Sequence, residues 1–128
     1  MPVSITQVSD SKNVYATSGN GIVNTATTFT ILPYSAFISF ADMLQQANSG
    51  FTCSTSNGIT TCVLENSYCG QIQKNLESVT FKLHSTINNK DYDFVMPPAS
   101  YMRNNTNTTE CIAGLQGWAN NTSTYVFG

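Results

Sequence analysis

With 128 residues, 41% of them hydrophobic, the chain can bury one modest core but not two. Only 9% of residues are charged and the formal net charge is -2, which argues against a nucleic-acid partner held through phosphates and against a polybasic membrane patch. There is no window of about 18 apolar residues to span a bilayer. Ser, Thr and Asn make up roughly a third of the sequence, a composition that favours strands and turns, so a mainly β domain is expected.

Apolar and polar residues alternate from Val3 to Val8, and Ser9-Asp10-Ser11-Lys12-Asn13 then supplies turn residues, which together predict a hairpin. Ser18-Gly19-Asn20-Gly21 reads as a tight turn leading into Ile22-Val23 and a Thr-rich stretch that ends at Ile31-Leu32-Pro33. From Ser35 the period changes. Ala36, Phe37, Phe40, Ala41, Leu44 and Ala47 recur at helical spacing, which predicts one amphipathic helix of about three turns, with Ser35 as N-cap and Gly50 beyond its end. Ser56-Asn57-Gly58 is a hairpin signal between Cys53 and Cys62, and it would bring those two thiols together across a strand pair. Val79–Leu83 and Tyr92–Met96 alternate as the strands of a second hairpin around Asn88-Asn89-Lys90, and Pro97-Pro98 ends it. The polar stretch 104–110 reads as a loop, followed by strands at Cys111–Leu115 and Tyr125–Gly128.

The cysteines Cys53, Cys62, Cys69 and Cys111 do not have zinc-knuckle spacing and the single histidine, His84, is distant in sequence, so disulfides are expected and no metal site. Asn104, Asn107, Asn120 and Asn121 each open an N-x-[ST] sequon. Cysteines and sequons agree on an oxidising compartment: the secretory pathway, a lysosome or vacuole, or the extracellular space. No signal peptide is visible at Met1-Pro2-Val3-Ser4-Ile5-Thr6, and the chain stops at Gly128 just after an apolar run, so it is expected to be a piece of a longer protein, truncated at its C-terminus. Asp10, Asp42, Asp91 and Asp93 read as solvated surface charges.

The order of segments resembles the pepsin-like aspartic proteases (family A1), and within them the second, C-terminal lobe. Gly21-Ile22-Val23-Asn24-Thr25-Ala26-Thr27-Thr28-Phe29-Thr30 is similar to that family's apolar-apolar-Asp-Thr-Gly-Thr-[ST] active-site loop. Val79-Thr80-Phe81, then Met96-Pro97-Pro98-Ala99-Ser100-Tyr101, then Cys111-Ile112-Ala113-Gly114-Leu115-Gln116-Gly117, then Tyr125-Val126-Phe127-Gly128 follow in the family's order. The resemblance implies that residues 1–128 form a single, partial lobe of the bilobal acid-protease fold, with an N-terminal lobe as partner and no cofactor.

It further implies a dyad in which each lobe gives one aspartate and the two carboxylates share a proton over a bound water, one acting as base and the other as acid. This sequence departs at that position. Asn24 stands where the family has its aspartate and Ala26 where it has the loop glycine. An amide has no proton to exchange in the dyad, so roughly 10²- to 10⁴-fold of acid–base assistance would be lost. By the same resemblance Thr25 would join an interlobe hydrogen-bond lattice, and Thr27, with Thr28 beside it in the loop, would brace the residue at position 24. Ile22, Trp118 and Val126 would line substrate pockets, although Trp118 could instead fill core. A Cys69–Cys111 bridge is also implied, which leaves Cys53 with Cys62. Two functions remain open: an aspartic endopeptidase lineage whose chain is inactive as given, or a module that binds a peptide or protein without cutting, as some family members that lost an active-site residue do.

Overall fold

The computed structural model describes residues 2–23, 29–105, 107–120 and 123–127. The strands are β1 (Pro2–Ser9), β2 (Val14–Ala16), β3 (Gly19–Val23), β4 (Thr30–Pro33), β5 (Thr52–Ser56), β6 (Ile59–Glu65), β7 (Val79–Ser85), β8 (Lys90–Met96), β9 (Met102–Asn105), β10 (Glu110–Ala113), β11 (Leu115–Trp118) and β12 (Thr124–Phe127). Helix α1 (Tyr34–Ala47) follows β4, while α2 (Cys69–Ile72) and α3 (Pro98–Tyr101) are single turns. The strands join in the order β8-β7-β1-β3-β12-β4-β11-β6-β10-β9, with β2 on β1 and β5 on β6. Its centre is not a meander. β12 runs parallel to β3 and antiparallel to β4, and β11 runs parallel to β4.

The α1 stripe is buried as Ala36, Phe37, Phe40, Met43 and Leu44, because apolar residues at this spacing present one face to the sheet. Gly117 makes room for it: a Cβ there would lie 2.5 Å from Phe37 Cγ. The expected helix start shifts, whereas Gly50 lies beyond the helix end as expected. Pro33, with φ -54°, is the N-cap and Ser35 lies inside the first turn, because β4 runs straight into the helix on the backbone angle that proline fixes. At the other end Asn48 is the C-cap, and its side-chain oxygen accepts the Gly50 N–H at 2.9 Å. At 14 residues the helix is nearly four turns rather than three.

Other expectations are corrected by packing. Gly19-Asn20-Gly21 is strand, not turn: its glycines leave space for the rings of Tyr125 and Phe127 on the neighbouring strand. The stretch 104–110 is not all loop, since β9 and β10 pair with Asn105 opposite Glu110. The strand expected over Cys111–Leu115 breaks at Gly114, whose N–H donates to Tyr101 O at 2.6 Å and whose carbonyl accepts from Thr30 N–H at 3.1 Å. β8 alternates in register but is exposed along nearly its whole length, because it forms an edge of the sheet.

Both disulfides are present. Cys53 and Cys62 face each other in the β5–β6 register, around a turn in which Asn57 (φ 54°) and Gly58 (φ 80°) both take the left-handed conformation that a two-residue hairpin requires. Cys69–Cys111 ties α2 to β10. The core runs on both sides of this tie. Phe81 stacks edge-on to Tyr125 and Phe127, and Phe40 edge-on to Tyr101, whose hydroxyl donates to Glu77 O at 2.7 Å.

Candidate functional site

β3 ends at Val23 and β4 begins at Thr30, and β12 lies between them. Residues 24–29 make the connection, so the loop expected to carry the chemistry joins two strands separated by a third. Asn24, Thr25, Ala26, Thr27 and Thr28 themselves lie outside the described residues. Their flanks are firm: Thr30 is buried, and the Phe29 ring lies 5.0 Å beneath the Arg103 guanidinium, a cation–π contact.

The strand alternation that buries Gly21, Tyr125, Leu32 and Leu115 turns their neighbours outward. Ile22, Val126, Ile31 and Gln116 form one rung across β3, β12, β4 and β11, and Gln116 Nε2 donates to Thr61 Oγ1 at 2.9 Å to extend it to β6. Ile22 and Val126, named from sequence, are therefore direct neighbours. Trp118 lies on the same face, one alternation further along β11. It is 43% exposed, so it does not fill core. Beside Ile22 is a hollow of about 240 Å³ lined by Val3, Ser4, Asn20, Gly21, Ile22 and Thr86.

No other described cluster offers comparable chemistry. His84 Nδ1 and Asp91 Oδ1 are 2.6 Å apart on the exposed β7–β8 hairpin. Among the described residues no group of histidine, cysteine and carboxylate side chains could hold a metal ion. A cavity of about 270 Å³ borders α1 and includes Asp10, Lys12 and Glu77, but its polar groups serve the fold. Asp10, expected to be a solvated charge, accepts the backbone N–H groups of Lys12 and Asn13 and the Tyr15 hydroxyl at 2.6 Å. The Tyr15 pKa is raised, first by burial and then by that carboxylate. Asp10 after a strand, followed by Ser11-Lys12-Asn13, was the available signal for such a turn.

The sequons fall in different settings. Asn107 and Asn120 are exposed in turns, whereas Asn104 sits in β9 with its side-chain oxygen accepting the Cys69 N–H at 2.8 Å. Asn121 lies outside the described residues. Among the described residues no helix is long and apolar enough to cross a membrane.

The family described as "Xylanase inhibitor C-terminal" matches residues 3–128. The chain belongs to the xylanase inhibitor C-terminal family. Its fold is similar to the crystal structure of basic 7S globulin from soybean, with a TM-score of 0.65 over 99% of this chain at 11% identity. At that identity the likeness concerns fold alone, and the chain spans 32% of that protein's length. No curated protein matches the sequence. As a member of this family the chain is a mainly β C-terminal lobe of the pepsin-like fold, as the resemblance implied.

Proposed function

We propose that this chain is a non-catalytic, protein-binding lobe of the aspartic-protease lineage, a single partial lobe over residues 1–128. The observation that carries the reading is Asn24, an amide at the position where the lineage has its catalytic aspartate, in a family named for inhibiting a xylanase. The strand framework around that position is retained, and the outward rung of Ile22, Val126 and Ile31 offers apolar contact without an acid–base pair. A protein ligand or a preceding N-terminal lobe would cover that face. Ile22 and Val126 would then contact a partner rather than a scissile peptide, with Trp118 at the margin of that face. Two disulfides and exposed sequons at Asn107 and Asn120 support passage through the secretory pathway.

The test pairs activity with binding. Purified protein is expected to show no pepstatin-sensitive cleavage of denatured substrate at acid pH, and turnover above a mock preparation would overturn the reading. In a two-lobed protein with an aspartate in its first lobe, Asn24→Asp with Ala26→Gly is expected to restore cleavage if these positions are the lesion. A xylanase is the first partner to try, by surface plasmon resonance and by residual xylanase activity. Loss of any such binding in Ile22→Asp, with the fold intact by circular dichroism, would locate the contact on the rung.

A further inference from the structure

We propose that Trp118 is a stacking platform for an N-linked glycan carried by Asn120. The inference rests on the reading that this protein passes through a glycosylating compartment. Trp118 is the chain's single tryptophan, and it stands 43% exposed at the end of β11. Its position is fixed from one side. A Cβ built on Gly58, at the tip of the β5–β6 hairpin, would meet Trp118 Cδ1 and Nε1 at 3.6 Å, and the next backbone N–H, of Ala119, donates to Gly58 O at 3.1 Å. The five-membered edge of the indole thus lies beside the hairpin tip, a methyl group's width away, while much of the residue faces water.

Asn120 follows two residues later, exposed in the turn that leaves β11, and the sequence there reads Asn120-Asn121-Thr122. Two residues span at most about 7 Å of backbone, which the asparagine side chain and one pyranose can bridge. A pyranose carries C–H groups on its faces and hydroxyls around its rim. An indole face takes up the C–H groups against its negative quadrupole and leaves the hydroxyls in water. The exposed indole is thereby covered without a dry protein interface. The sequon at Asn107 supplies an internal control, because the β9–β10 hairpin from Met102 to Ala113 contains no aromatic residue.

The experiment uses this chain expressed in a glycosylating secretory host with Asn121→Gln, so that occupancy at 120 is read alone, and peptide mass mapping scores Asn120. Acrylamide quenching of the single tryptophan is then measured with and without Asn120→Gln in the Trp118 form, and urea unfolding, followed by circular dichroism, is measured with and without Asn120→Gln in the Trp118, Trp118→Phe and Trp118→Ala forms. The expected result is a blue-shifted, less quenchable Trp118 in the glycoform. The glycan should also give a gain of about two- to tenfold in the folding equilibrium that persists in part in Trp118→Phe and vanishes in Trp118→Ala. Removal of the glycan at Asn107 should leave the fluorescence unchanged. An unoccupied Asn120 overturns the proposal, and if Asn107 is unoccupied as well the glycosylation reading beneath it falls too. An occupied Asn120 with unchanged quenching, or with the same gain in Trp118→Ala, overturns the proposal alone. Should Trp118→Ala not fold, the quenching comparison and the Trp118→Phe pair decide.

Discussion

The ring of Tyr125 fills the space in front of Gly19, where an added Cβ would lie 2.5 Å from Tyr125 Cε1 and 3.0 Å from Ser123 O. The contact links β3 to β12, two parallel neighbours beside the connection containing Asn24. Because the ring is fully buried and stacked against Phe81, it has no free direction in which to retreat.

Gly19→Ala is therefore expected to destabilise the lobe by about 1–3 kcal/mol, the cost of overpacking a closed core. Gly70→Ala is the matched control, since the residue is in α2 and a methyl group there would meet nothing within 4 Å beyond its own helical turn. It should be neutral or slightly stabilising, as alanine is the better helix former. Urea denaturation of the two variants checks this, and equal midpoints would mean that the Tyr125 ring is not seated as described.

How legible these features were depends on which force dominates each element. The α1 stripe was readable because Phe37, Phe40 and Leu44 repeat at the helical period and that same period buries them. The Asn57-Gly58 turn was readable because its backbone needs left-handed residues. Gly19 and Gly21 misled for a physical reason: glycine is used there for close approach between strands, which no local pattern distinguishes from a turn. β9 was hidden because an edge strand of Arg103, Asn104 and Asn105 needs no apolar alternation. At the candidate site, Ile22 and Val126 came from the family resemblance, and the strand register makes them neighbours. The exposure of Trp118 could not be read from sequence, since tryptophan serves cores and surfaces alike.

Tyr125 also carries a buried hydroxyl with no hydrogen-bond partner among the described residues. Such a group forfeits its hydration on folding and recovers nothing in return. Tyr125→Phe keeps the ring against Gly19 and removes only that oxygen, so it is expected to be neutral or stabilising by up to about 1 kcal/mol. A loss of more than about 1 kcal/mol in chemical unfolding would show that the hydroxyl has a partner after all.

The same burial predicts an alkaline limit. Tyr125 is pushed up from 10.0 to about 12 by burial. Tyr15 and Tyr101 are also raised, in each case first by burial and then by nearby acceptors or carboxylates. A raised tyrosine keeps its proton in the folded state while the unfolded chain ionises, so its stabilisation is complete below the unfolded value of 10.0 and is lost as pH climbs towards the folded one. Stability should be flat through neutral pH and fall above about pH 10, by about 1.4 kcal/mol per pH unit for each such tyrosine. Tyr125→Phe should make that fall shallower. Unfolding free energies measured between about pH 8 and 11 decide it, and a flat profile would count against burial of all three rings.

The two disulfides should differ in both accessibility and value. Cys53 is exposed on the outer strand β5, whereas Cys69 is 2% and Cys111 0% exposed, so a thiolate reductant can reach a sulfur only in the first bridge without opening the core. Their closed loops also differ, with sequence separations of 9 and 42, for which chain entropy gives roughly 2.5 and 4 kcal/mol. The Asn57-Gly58 turn already holds the shorter loop in register, so less than the full value should be lost there. Mild reduction followed by alkylation and mass mapping is expected to label Cys53 and Cys62 first, with the circular dichroism of the native fold retained. Labelling of Cys69 and Cys111 should coincide with unfolding, and their paired replacement by serine should lower stability more than replacement of Cys53 and Cys62. If Cys69 and Cys111 were labelled first in folded protein, the α2–β10 tie could not be the buried anchor of this lobe.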